Sequence, residues 1–264
     1  NKRSFCFNEQ GTGKTASAIW ASDYLMKQGK IRRVLVICPL SIMDSAWRDD
    51  LFTFATHRTV SVAYGPAEKR KKIIQEGSDY VIINYDGVAI VADEIRKGGF
   101  DLIIVDEATH YKNAQTTRWK TLNKLLTDDT WLWMMTGTPA AQSPVDAYGL
   151  AKMVNKQSVP RFFGSFKDQV MTRMSQFRWV AKANANTIVF NALQPAIRFT
   201  KDECLDLPPM VYVKREIELT NQQKKYYAQI KNKMVMEVTG AEVTAMNAAV
   251  SLSKLLQISS GAVY

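Results

Sequence analysis

The stretch from Asn8 to Thr15 combines the residue types of a loop that holds a polyphosphate. Gly11 and Gly13 let the backbone turn its N–H groups toward a bound anion without a Cβ in the way. The ammonium of Lys14 suits the outer phosphates, and the hydroxyl of Thr15 suits a Mg²⁺ ion bound to them. We therefore predict a site for a nucleoside triphosphate and Mg²⁺, with Lys14 acting in catalysis. The residues predicted to bind the nucleotide are Asn8, Glu9, Gln10, Gly11, Thr12, Gly13, Lys14 and Thr15.

The neighbours of this loop support the prediction. Phe5-Cys6-Phe7 indicates a buried strand before it, and the residues from Ala16 to Trp20 indicate a helix whose N-terminus faces the phosphates. Asn8 stands where the general motif has glycine, but asparagine also tolerates left-handed backbone geometry. The alternative is a chance Gly-Lys-Thr in a surface turn, which the strand–loop–helix context disfavours.

A second group of residues suits metal and water chemistry. The apolar run that begins at Phe100 ends in two adjacent carboxylates, Asp106 and Glu107. We assign Asp106 to the Mg²⁺ ion through water and Glu107 to the attacking water, both as catalytic residues. The alternative is an acidic helix N-cap after a core strand. The distance of about ninety residues from the phosphate loop leaves room for several βα units and favours the catalytic interpretation.

The bulk composition limits the class of protein. With 264 residues, 46% hydrophobic and 23% charged, the chain resembles a globular protein that buries a sizeable core. No apolar run is long enough to span a bilayer, and no signal-peptide pattern opens the chain. Cys6, Cys38 and Cys204 form no Cys-x-x-Cys pair and indicate reduced, mostly buried thiols. Two histidines, His57 and His110, make a histidine-rich metal site implausible.

The net charge of +10 is concentrated in one region. Residues 151–201 carry nine basic side chains and one acidic side chain, Asp168. We interpret these cations as a surface that faces a polyanion, the alternative being a solvated face. The interleaved aromatic residues fit either the core or a stacking surface, and the core is favoured. These aromatic residues are Phe162, Phe163, Phe166, Phe177, Trp179, Phe190 and Phe199.

The first 155 residues alternate between short apolar β runs and longer helical segments. This alternation predicts an α/β fold, with a parallel sheet covered by helices on both faces and ligands at the carboxyl ends of the strands. Besides the first strand, the predicted strands are Arg33–Cys38, Val60–Tyr64, Tyr80–Asn84, Leu102–Val105 and Trp131–Met135. The predicted helices are Thr15–Gln28 (closed by Gly29), Asp44–Ala55, Ala67–Gln75 and Thr116–Leu126.

After Asn155 the alternation stops, and we predict three domains. Residues 1–155 form the nucleotide-binding lobe, residues 156–219 a basic, mainly helical insertion with a short β segment, and residues 220–264 two helices. Leu207-Pro208-Pro209 interrupts any helix, and Val211–Leu219 alternates like an exposed strand. Asn221–Val238 and Glu242–Ser259 have helical patterns, with Thr220 as a plausible N-cap.

Several motifs stand along the chain in the order known from one family. Asn8–Thr15 is similar to that family's Asp-Glu-Met-Gly-Leu-Gly-Lys-Thr, in which aspartate takes the place of Asn8. Asp106-Glu107-Ala108-Thr109, continuing to Lys112-Asn113, resembles its Asp-Glu-Ala-His followed by Lys-Asn. Further similar segments are Cys38-Pro39-Leu40-Ser41 with Trp47, Asn84-Tyr85, Thr136-Gly137-Thr138-Pro139 with Gln142, Arg198-Phe199-Thr200-Lys201 with Leu207-Pro208-Pro209, and Leu256-Gln257-Ile258. On these motifs the chain resembles the first RecA-like lobe of superfamily-two helicases, and among them the Swi/Snf-type DNA translocases.

The resemblance implies an ATP-driven motor on duplex DNA. It implies a RecA-like P-loop NTPase lobe, ATP and Mg²⁺ as cofactors, a second RecA-like lobe as partner, and no membrane partner. It also implies a cytoplasmic location, in a bacterium or a virus-infected host cell, or a nuclear one, and not secretion. The residues it assigns to coupling are Thr109, Thr136, Gly137 and Thr138. The residues it assigns to nucleic-acid contact are Pro39, Leu40, Ser41, Asn84, Tyr85, Lys112 and Asn113.

The chain departs from the family pattern in two respects. Thr109 stands where the family has histidine or glutamine, and its side chain is shorter. The 264 residues hold no second lobe with the arginine-bearing motif that stabilises the phosphoryl transition state, so we expect this chain alone to be weakly active. Three alternatives stay open: a strand-separating helicase acting on DNA or RNA, a nucleotide-dependent binding module with little turnover, and a metabolic P-loop kinase. The last is the least favoured.

Overall fold

The computed structural model describes residues 1–140, 142–176, 178–206, 211–240 and 245–261. Contacts divide the chain into two units, residues 1–207 and residues 208–264. The first unit is built on a seven-stranded sheet, and all its strands run parallel. The sheet strands are β1 (Arg3–Cys6), β2 (Val34–Cys38), β3 (Val60–Val62), β4 (Tyr80–Asn84), β5 (Leu102–Val105), β6 (Trp131–Met135) and β9 (Ala196–Ile197), in the spatial order β3-β4-β2-β5-β6-β1-β9.

Helices cover both faces of this sheet, which confirms the predicted α/β class. The apolar residues of the central strands alternate between two cores: Val34 and Val36 of β2 face one, while Leu35 and Ile37 face the other. Together the cores bury the strands on both sides. The helices of the first unit are α1 (Lys14–Lys27), α2 (Asp49–Phe54), α3 (Ala67–Gln75), α4 (Tyr85–Ile90), α5 (Ala92–Lys97), α6 (Thr117–Leu125), α7 (Ala147–Val154), α8 (Phe163–Val170), α9 (Ala185–Ala192) and α10 (Lys201–Cys204).

The parallel topology brings distant segments to one edge. The strands β1, β5 and β6 are consecutive neighbours in the sheet, and their carboxyl ends lead to Asn8, Asp106 and Thr136. The carboxyl ends of β2 and β4 lie along the same edge and lead to Pro39 and Tyr85. Since ligands bind at this edge in open α/β sheets, the fold brings the motifs that follow these five strands to the edge where a site is expected.

Residues after Asn155 contribute more β structure than the sequence pattern indicated. An antiparallel hairpin pairs β7 (Met171–Arg173) with β8 (Trp179–Ala181). Strand β9 then returns to the main sheet and pairs with β1. Two-residue strands carry too short a pattern for recognition from sequence, and only the pairing partner identifies β9.

The strand predicted over Val211–Leu219 is absent. Residues 211–219 have no regular secondary structure, and the apolar side chains that alternate there, such as Val211 and Ile217, are exposed. An alternating pattern predicts a strand only if another element covers its apolar face. The predicted break at Leu207-Pro208-Pro209 and the aromatic Phe177 lie outside the described residues.

Two other predictions differ in detail. The helix predicted over Asp44–Ala55 begins with a π-helical turn, Met43–Arg48, and only then continues as α2. Cys204 is exposed, whereas Cys38 is buried. The second unit contains α11 (Asn221–Gly240) and α12 (Ala245–Ser260), close to the predicted helices. Among the described residues, no helix is both long and apolar enough to cross a bilayer.

Candidate functional site

The phosphate loop has the backbone geometry that the glycines were predicted to supply. Gly11 and Gly13 have φ values of +83° and +76°, in the region that L side chains rarely adopt. Helix α1 begins immediately afterwards at Lys14, with Gly13 as its N-cap. Asn8 does not have a positive φ, so glycine is not required at that position. The free N–H groups at the start of α1 therefore point toward the loop, where they favour an anion.

Lys14 is held against the loop itself. Its ammonium donates a hydrogen bond of 3.1 Å to the carbonyl oxygen of Glu9. The same oxygen accepts a 2.7 Å hydrogen bond from the hydroxyl of Thr12. Both hydrogen bonds lie within the loop. A bound nucleotide would therefore have to replace only the bond from Lys14 to Glu9 for the ammonium to contact its phosphates.

Asn8 and Glu9, both predicted to bind nucleotide, hold a distant segment. The side-chain oxygen of Asn8 accepts a 3.1 Å hydrogen bond from the backbone N–H of Phe199. The carboxylate of Glu9 accepts one of 3.1 Å from the backbone N–H of Lys201 and lies 3.8 Å from the guanidinium of Arg198. The two side chains thus fasten residues 198–201 to the phosphate loop.

Asp106 is a buried carboxylate with both oxygens engaged. It follows β5 directly and is 6% exposed. The indole N–H of Trp47 donates a 2.9 Å hydrogen bond to Oδ2, and the backbone N–H of Glu107 donates one of 2.9 Å to Oδ1. Burial raises the pKa of Asp106, while these two hydrogen bonds and the charge of Lys14 oppose the rise. The carboxylate is therefore fixed in orientation and lies near the lysine of the phosphate loop.

Tyr85 supports the same residue from the other side. Its hydroxyl donates a 2.6 Å hydrogen bond to the backbone oxygen of Asp106, and burial raises its pKa well above the usual value. The ring of Tyr85 packs against His110 at 4.5 Å and lies 5.1 Å below the guanidinium of Arg118. Tyr85 is thus a buried support for the carboxyl end of β5.

Glu107 has an unusual backbone. Its φ and ψ are 45° and 54°, and it is the only non-glycine residue with positive φ in the described ranges. This left-handed conformation costs roughly 1–2 kcal/mol for a residue with a Cβ. Within the described ranges its carboxylate has no hydrogen-bond or ion-pair partner. Backbone strain at a residue whose carboxylate is unpaired is typical of a functional position.

The phosphate loop and the two carboxylates share one cavity of about 480 Å³. Lys14, Thr15, Asp106 and Glu107 all line it. Asp50 and Phe54 of α2 also line it, although no sequence motif predicted them there. Its full lining is Gln10, Gly11, Gly13, Lys14, Thr15, Ala16, Asp50, Phe54, Asp106 and Glu107.

The donors on this cavity fit Mg²⁺ bound together with phosphates. The Thr15 hydroxyl and the Asp106 carboxylate are hard oxygen ligands, which Mg²⁺ prefers. The described residues contain no cluster of three or more histidine, cysteine or acidic side chains that could hold a metal by itself. Such a sparse donor set suits an ion that keeps several waters and takes its other ligands from a triphosphate.

Of the predicted coupling residues, Thr109 and Thr138 come together. They line a cleft of about 300 Å³ with Pro139 and Gln142. Thr136 is buried, and its hydroxyl accepts a 3.3 Å hydrogen bond from the backbone N–H of Thr138, which fixes the turn. A Cβ added at Gly137 would meet backbone atoms of the phosphate loop at 3.8 Å, so this turn lies directly against that loop.

The residues predicted to contact nucleic acid divide into exposed side chains and side chains that are held by contacts within the lobe. Leu40 and Ser41 are exposed on a short 3₁₀ turn beside the half-buried Pro39, and Asn113 is exposed as well. Asn84 instead accepts a 2.9 Å hydrogen bond from the buried Arg70.

Lys112 is engaged as well. It donates hydrogen bonds to Gln142 at 2.9 Å and Asp146 at 3.1 Å. With Tyr85 buried beneath Asp106, the exposed candidates for contact are the 3₁₀ turn and Asn113.

The structural roles of Trp47 and Arg70 were not predicted from the sequence. Trp47 was noted only as part of a motif, and a lone tryptophan in a polar helical stretch was the one available signal of its burial. Arg70 lies 5% exposed and bonds to the carbonyl oxygens of Ala63 and Gly65 as well as to Asn84. Its position in a charged helix gave no sign of this.

The fold and the site together define a RecA-like lobe of the P-loop NTPase class. The chain belongs to the SNF2-related domain family, which matches residues 4–260. This membership confirms the Swi/Snf resemblance that the motifs indicated.

Known proteins similar to this chain come from several kinds of organism. The chain is 25% identical to protein p41 of Acyrthosiphon pisum secondary endosymbiont phage 1, with 100% of this chain and 61% of that protein covered. It is 25% identical to the uncharacterized ATP-dependent helicase MG018 of Mycoplasma genitalium, with 95% and 24% covered. It is 26% identical to the chromatin-remodeling ATPase INO80 of Lodderomyces elongisporus, with 89% and 16% covered. The chain thus spans only part of each of these relatives.

A solved structure shows the same fold. The Sulfolobus solfataricus SWI2/SNF2 ATPase core in complex with dsDNA matches with a TM-score of 0.64 and 24% identity, over 97% of this chain and 53% of that one. A second structure, of the Sulfolobus solfataricus SWI2/SNF2 ATPase core domain, matches with a TM-score of 0.62 and 23% identity, over 97% of this chain and 52% of that one.

Proposed function

We propose that this chain is the ATP-binding motor lobe of a Swi/Snf-type translocase that couples ATP hydrolysis to movement on duplex DNA. The observation that carries the proposal is the single cavity shared by Lys14, Thr15, Asp106 and Glu107. The relatives named as ATP-dependent helicases and remodelling ATPases support the use of ATP. The matched archaeal core, described as a complex with dsDNA, supports duplex DNA as the partner.

Each residue of the cavity has a proposed role. The N–H groups around Gly11 and Gly13 and the ammonium of Lys14 bind the triphosphate. Thr15 and Asp106 would hold Mg²⁺, which when bound offsets the negative charge of the outer phosphates. The carboxylate of Glu107, which is unpaired within the described ranges, orients the attacking water and accepts its proton.

The coupling of this site to nucleic acid is proposed to pass through two connections. Thr138 lies on the turn that packs against the phosphate loop, and it shares a cleft with Thr109 just beyond the carboxylates. Trp47 joins Asp106 to the segment after β2, on which Leu40 and Ser41 are exposed. Either connection would let a change at the phosphates alter the surface that touches a strand backbone.

The proposal extends to the arrangement of the parent protein. Residues 220–264 are proposed to lead toward a second RecA-like lobe, since each of the relatives described above extends well beyond the region matched here. The arginine of that lobe would stabilise the transferring phosphoryl group, so this chain alone is proposed to bind nucleotide well and to turn it over slowly.

Nucleotide binding by the chain itself provides the test. Titration with a fluorescent ATP analogue and Mg²⁺ should give saturable binding. Lys14→Ala should weaken it on the order of 100-fold, since a charge-assisted contact is worth about 3 kcal/mol. Lys30→Ala, which removes an exposed lysine just beyond α1, should bind like the wild type. Equal affinity of the Lys14 and Lys30 variants would contradict the proposed site.

Hydrolysis assays separate the proposed motor from its alternatives. Stimulation of a slow ATPase rate by duplex DNA would support a translocase. A negligible rate that duplex DNA leaves unchanged would favour a binding module. Displacement of a strand from a partial duplex would favour a strand-separating helicase instead.

A further inference from the structure

A small basic unit follows α7 and takes no part in the nucleotide site. It consists of α8 and the β7–β8 hairpin, which is closed by a 2.8 Å hydrogen bond from the N–H of Met174 to the carbonyl oxygen of Arg178. Its cations are Lys167, Arg173, Arg178 and Lys182, and its one acidic residue is Asp168.

The four cations have no carboxylate partner within the described ranges. Lys167 lies 3.6 Å from the ring centroid of Trp179, and Arg173 donates to the carbonyl oxygen of Ser175 at 3.2 Å. Lys182 donates to the backbone oxygen of Asp168, not to its carboxylate. These contacts hold the side chains of Lys167, Arg173 and Lys182 and leave their positive charge uncompensated.

Some other exposed cations of the lobe are paired with carboxylates and serve for comparison. Lys2, Lys71 and Arg96 pair with Asp129, Glu68 and Asp93, respectively. Arg173, Arg178 and Lys182 are as solvent-accessible but unpaired. A polyanion would therefore gain more from the hairpin than from those surfaces.

The shape of the hairpin suits a duplex. In its register Arg173 lies opposite Trp179, and Thr172 lies opposite Val180. Alternation places Arg178 and Lys182 on the same face as Val180 and the exposed Met174, and it places Arg173 on the opposite face with Trp179. A two-stranded antiparallel ribbon of this kind fits the major groove of B-DNA, and its flanking cations can reach phosphates on either side.

The hairpin is also close to a predicted contact segment. Phe163, the first residue of α8, lines a cavity of about 240 Å³ together with Lys112 and Asn113. The eight residues of α8 then span about 12 Å to the start of β7, at 1.5 Å per residue. This distance is shorter than one helical turn of a duplex, roughly 34 Å, so one duplex is long enough to reach both Asn113 and the hairpin.

From this geometry we propose that the β7–β8 hairpin is an additional duplex-DNA contact, which binds backbone phosphates through Arg173, Arg178 and Lys182. This inference rests on the proposed function, because it takes duplex DNA as the partner of the lobe. It assigns the hairpin a role in holding the duplex, separate from nucleotide binding and hydrolysis.

The salt dependence of duplex binding tests the inference with four proteins. They are the wild-type chain, the triple variant Arg173→Ala/Arg178→Ala/Lys182→Ala, a charge-conserving variant Arg173→Lys/Arg178→Lys/Lys182→Arg, and the control Lys2→Ala/Lys71→Ala/Arg96→Ala. The hairpin alanine variant and the control each remove three positive charges, but only the hairpin alanine variant removes them from the hairpin. Fluorescence anisotropy of a labelled duplex, recorded at several salt concentrations, gives both the affinity and the slope of log K against log salt.

The hairpin alanine variant should bind at least about tenfold more weakly near 0.1 M salt, with a slope smaller by about 2.7, since each lost phosphate contact removes about 0.9. The charge-conserving variant should keep the wild-type slope. The control should lose much less duplex affinity than the hairpin alanine variant. Equal losses in the two alanine variants would overturn the proposal. The proposal would also be overturned if the hairpin alanine variant kept the wild-type slope for the duplex but lost binding to a polyglutamate peptide. That result would indicate an acidic protein partner.

Failure of the underlying function gives a different result. If the wild-type chain bound no duplex at any salt concentration, the proposed translocase function would fail, and the hairpin inference would fail with it. If wild-type binding were strong and the hairpin variants matched it, only the hairpin inference would fail.

Discussion

The indole N–H of Trp47 donates a 2.9 Å hydrogen bond to Oδ2 of Asp106. Trp47 is fully buried on the π-helical turn after β2, and Asp106 follows β5, so the bond joins two connections that are 59 residues apart in sequence. Because Glu107 occupies Oδ1, Trp47 fixes the remaining freedom of the carboxylate. Trp47 is therefore a positioning residue for the acid assigned to Mg²⁺.

Trp47→Phe should weaken the response of nucleotide binding to Mg²⁺. Loss of the donor releases Oδ2, and loss of such an outer partner typically costs 10–100-fold in metal affinity or activity. The half-saturating Mg²⁺ concentration for binding of the fluorescent ATP analogue should rise by about tenfold. Trp119→Phe is the matched control, because that indole is also buried and donates a 2.8 Å bond to a backbone oxygen. Equal Mg²⁺ dependence of the two variants would refute the positioning role.

Glu107→Gln should leave nucleotide affinity within about twofold and lower single-turnover hydrolysis by about 10²–10⁴, the usual contribution of a general base. The amide has the same shape as the carboxylate but cannot accept the proton of the water. Glu76→Gln, at an exposed glutamate that ends α3, should hydrolyse at the wild-type rate. Retained hydrolysis in the Glu107 variant would remove this carboxylate from the mechanism.

Asn8→Ala should affect stability more than nucleotide binding. It leaves the N–H of Phe199 without its acceptor at a part-buried contact, so the loss should lie near the lower end of the about 1–3 kcal/mol that a buried unsatisfied group costs. Urea denaturation should show this loss, and affinity for the ATP analogue should change less than about threefold, because no phosphate contact is removed. Asn113→Ala is the control, since its side chain also accepts a backbone N–H but is exposed. A large drop in affinity with unchanged stability would support the predicted role of Asn8 as a direct nucleotide ligand instead.

Asp23 should make the lobe sensitive to acid. Burial would raise its pKa, but hydrogen bonds from Lys27, Arg58 and His57 outweigh burial and lower the pKa to about 2. A carboxyl group with a lowered pKa stabilises the folded state above its ordinary pKa, and this stabilisation is lost as the pH falls from about 4 toward 2.

Substitution of Asp23 tests the direction of this pH dependence. Asp23→Asn should reduce the free energy of unfolding by about 2 kcal/mol at pH 7, and the difference should shrink as the pH falls below 4. Asp93→Asn, which breaks an exposed pair with Arg96, should cost less than about 1 kcal/mol at either pH. A pH-independent difference for the Asp23 variant would show that its charge is not the source of the effect.

The strands of the sheet were predictable because their patterns are local. β4 and β6 have the predicted bounds, and α3 begins and ends at the predicted residues. The strand over Val211–Leu219 was predicted on the same kind of pattern and is absent, because no element covers its apolar side chains. A local pattern states what a segment prefers and carries no information about its partner.

The sequence by itself determined the chemistry of the site: a glycine-containing phosphate loop, a lysine, and two carboxylates after an apolar strand. Within the loop, and within the pair of carboxylates, the residues are adjacent in the chain and obey short-range backbone rules, so their types and spacing suffice. Only the tertiary structure decided that Trp47 holds Asp106, that Asn8 and Glu9 fasten residues 198–201, and that Asn84 and Lys112 are engaged within the lobe. Those contacts join residues 14 to 192 positions apart, and their partners are chosen by how the parallel strands and their helices pack.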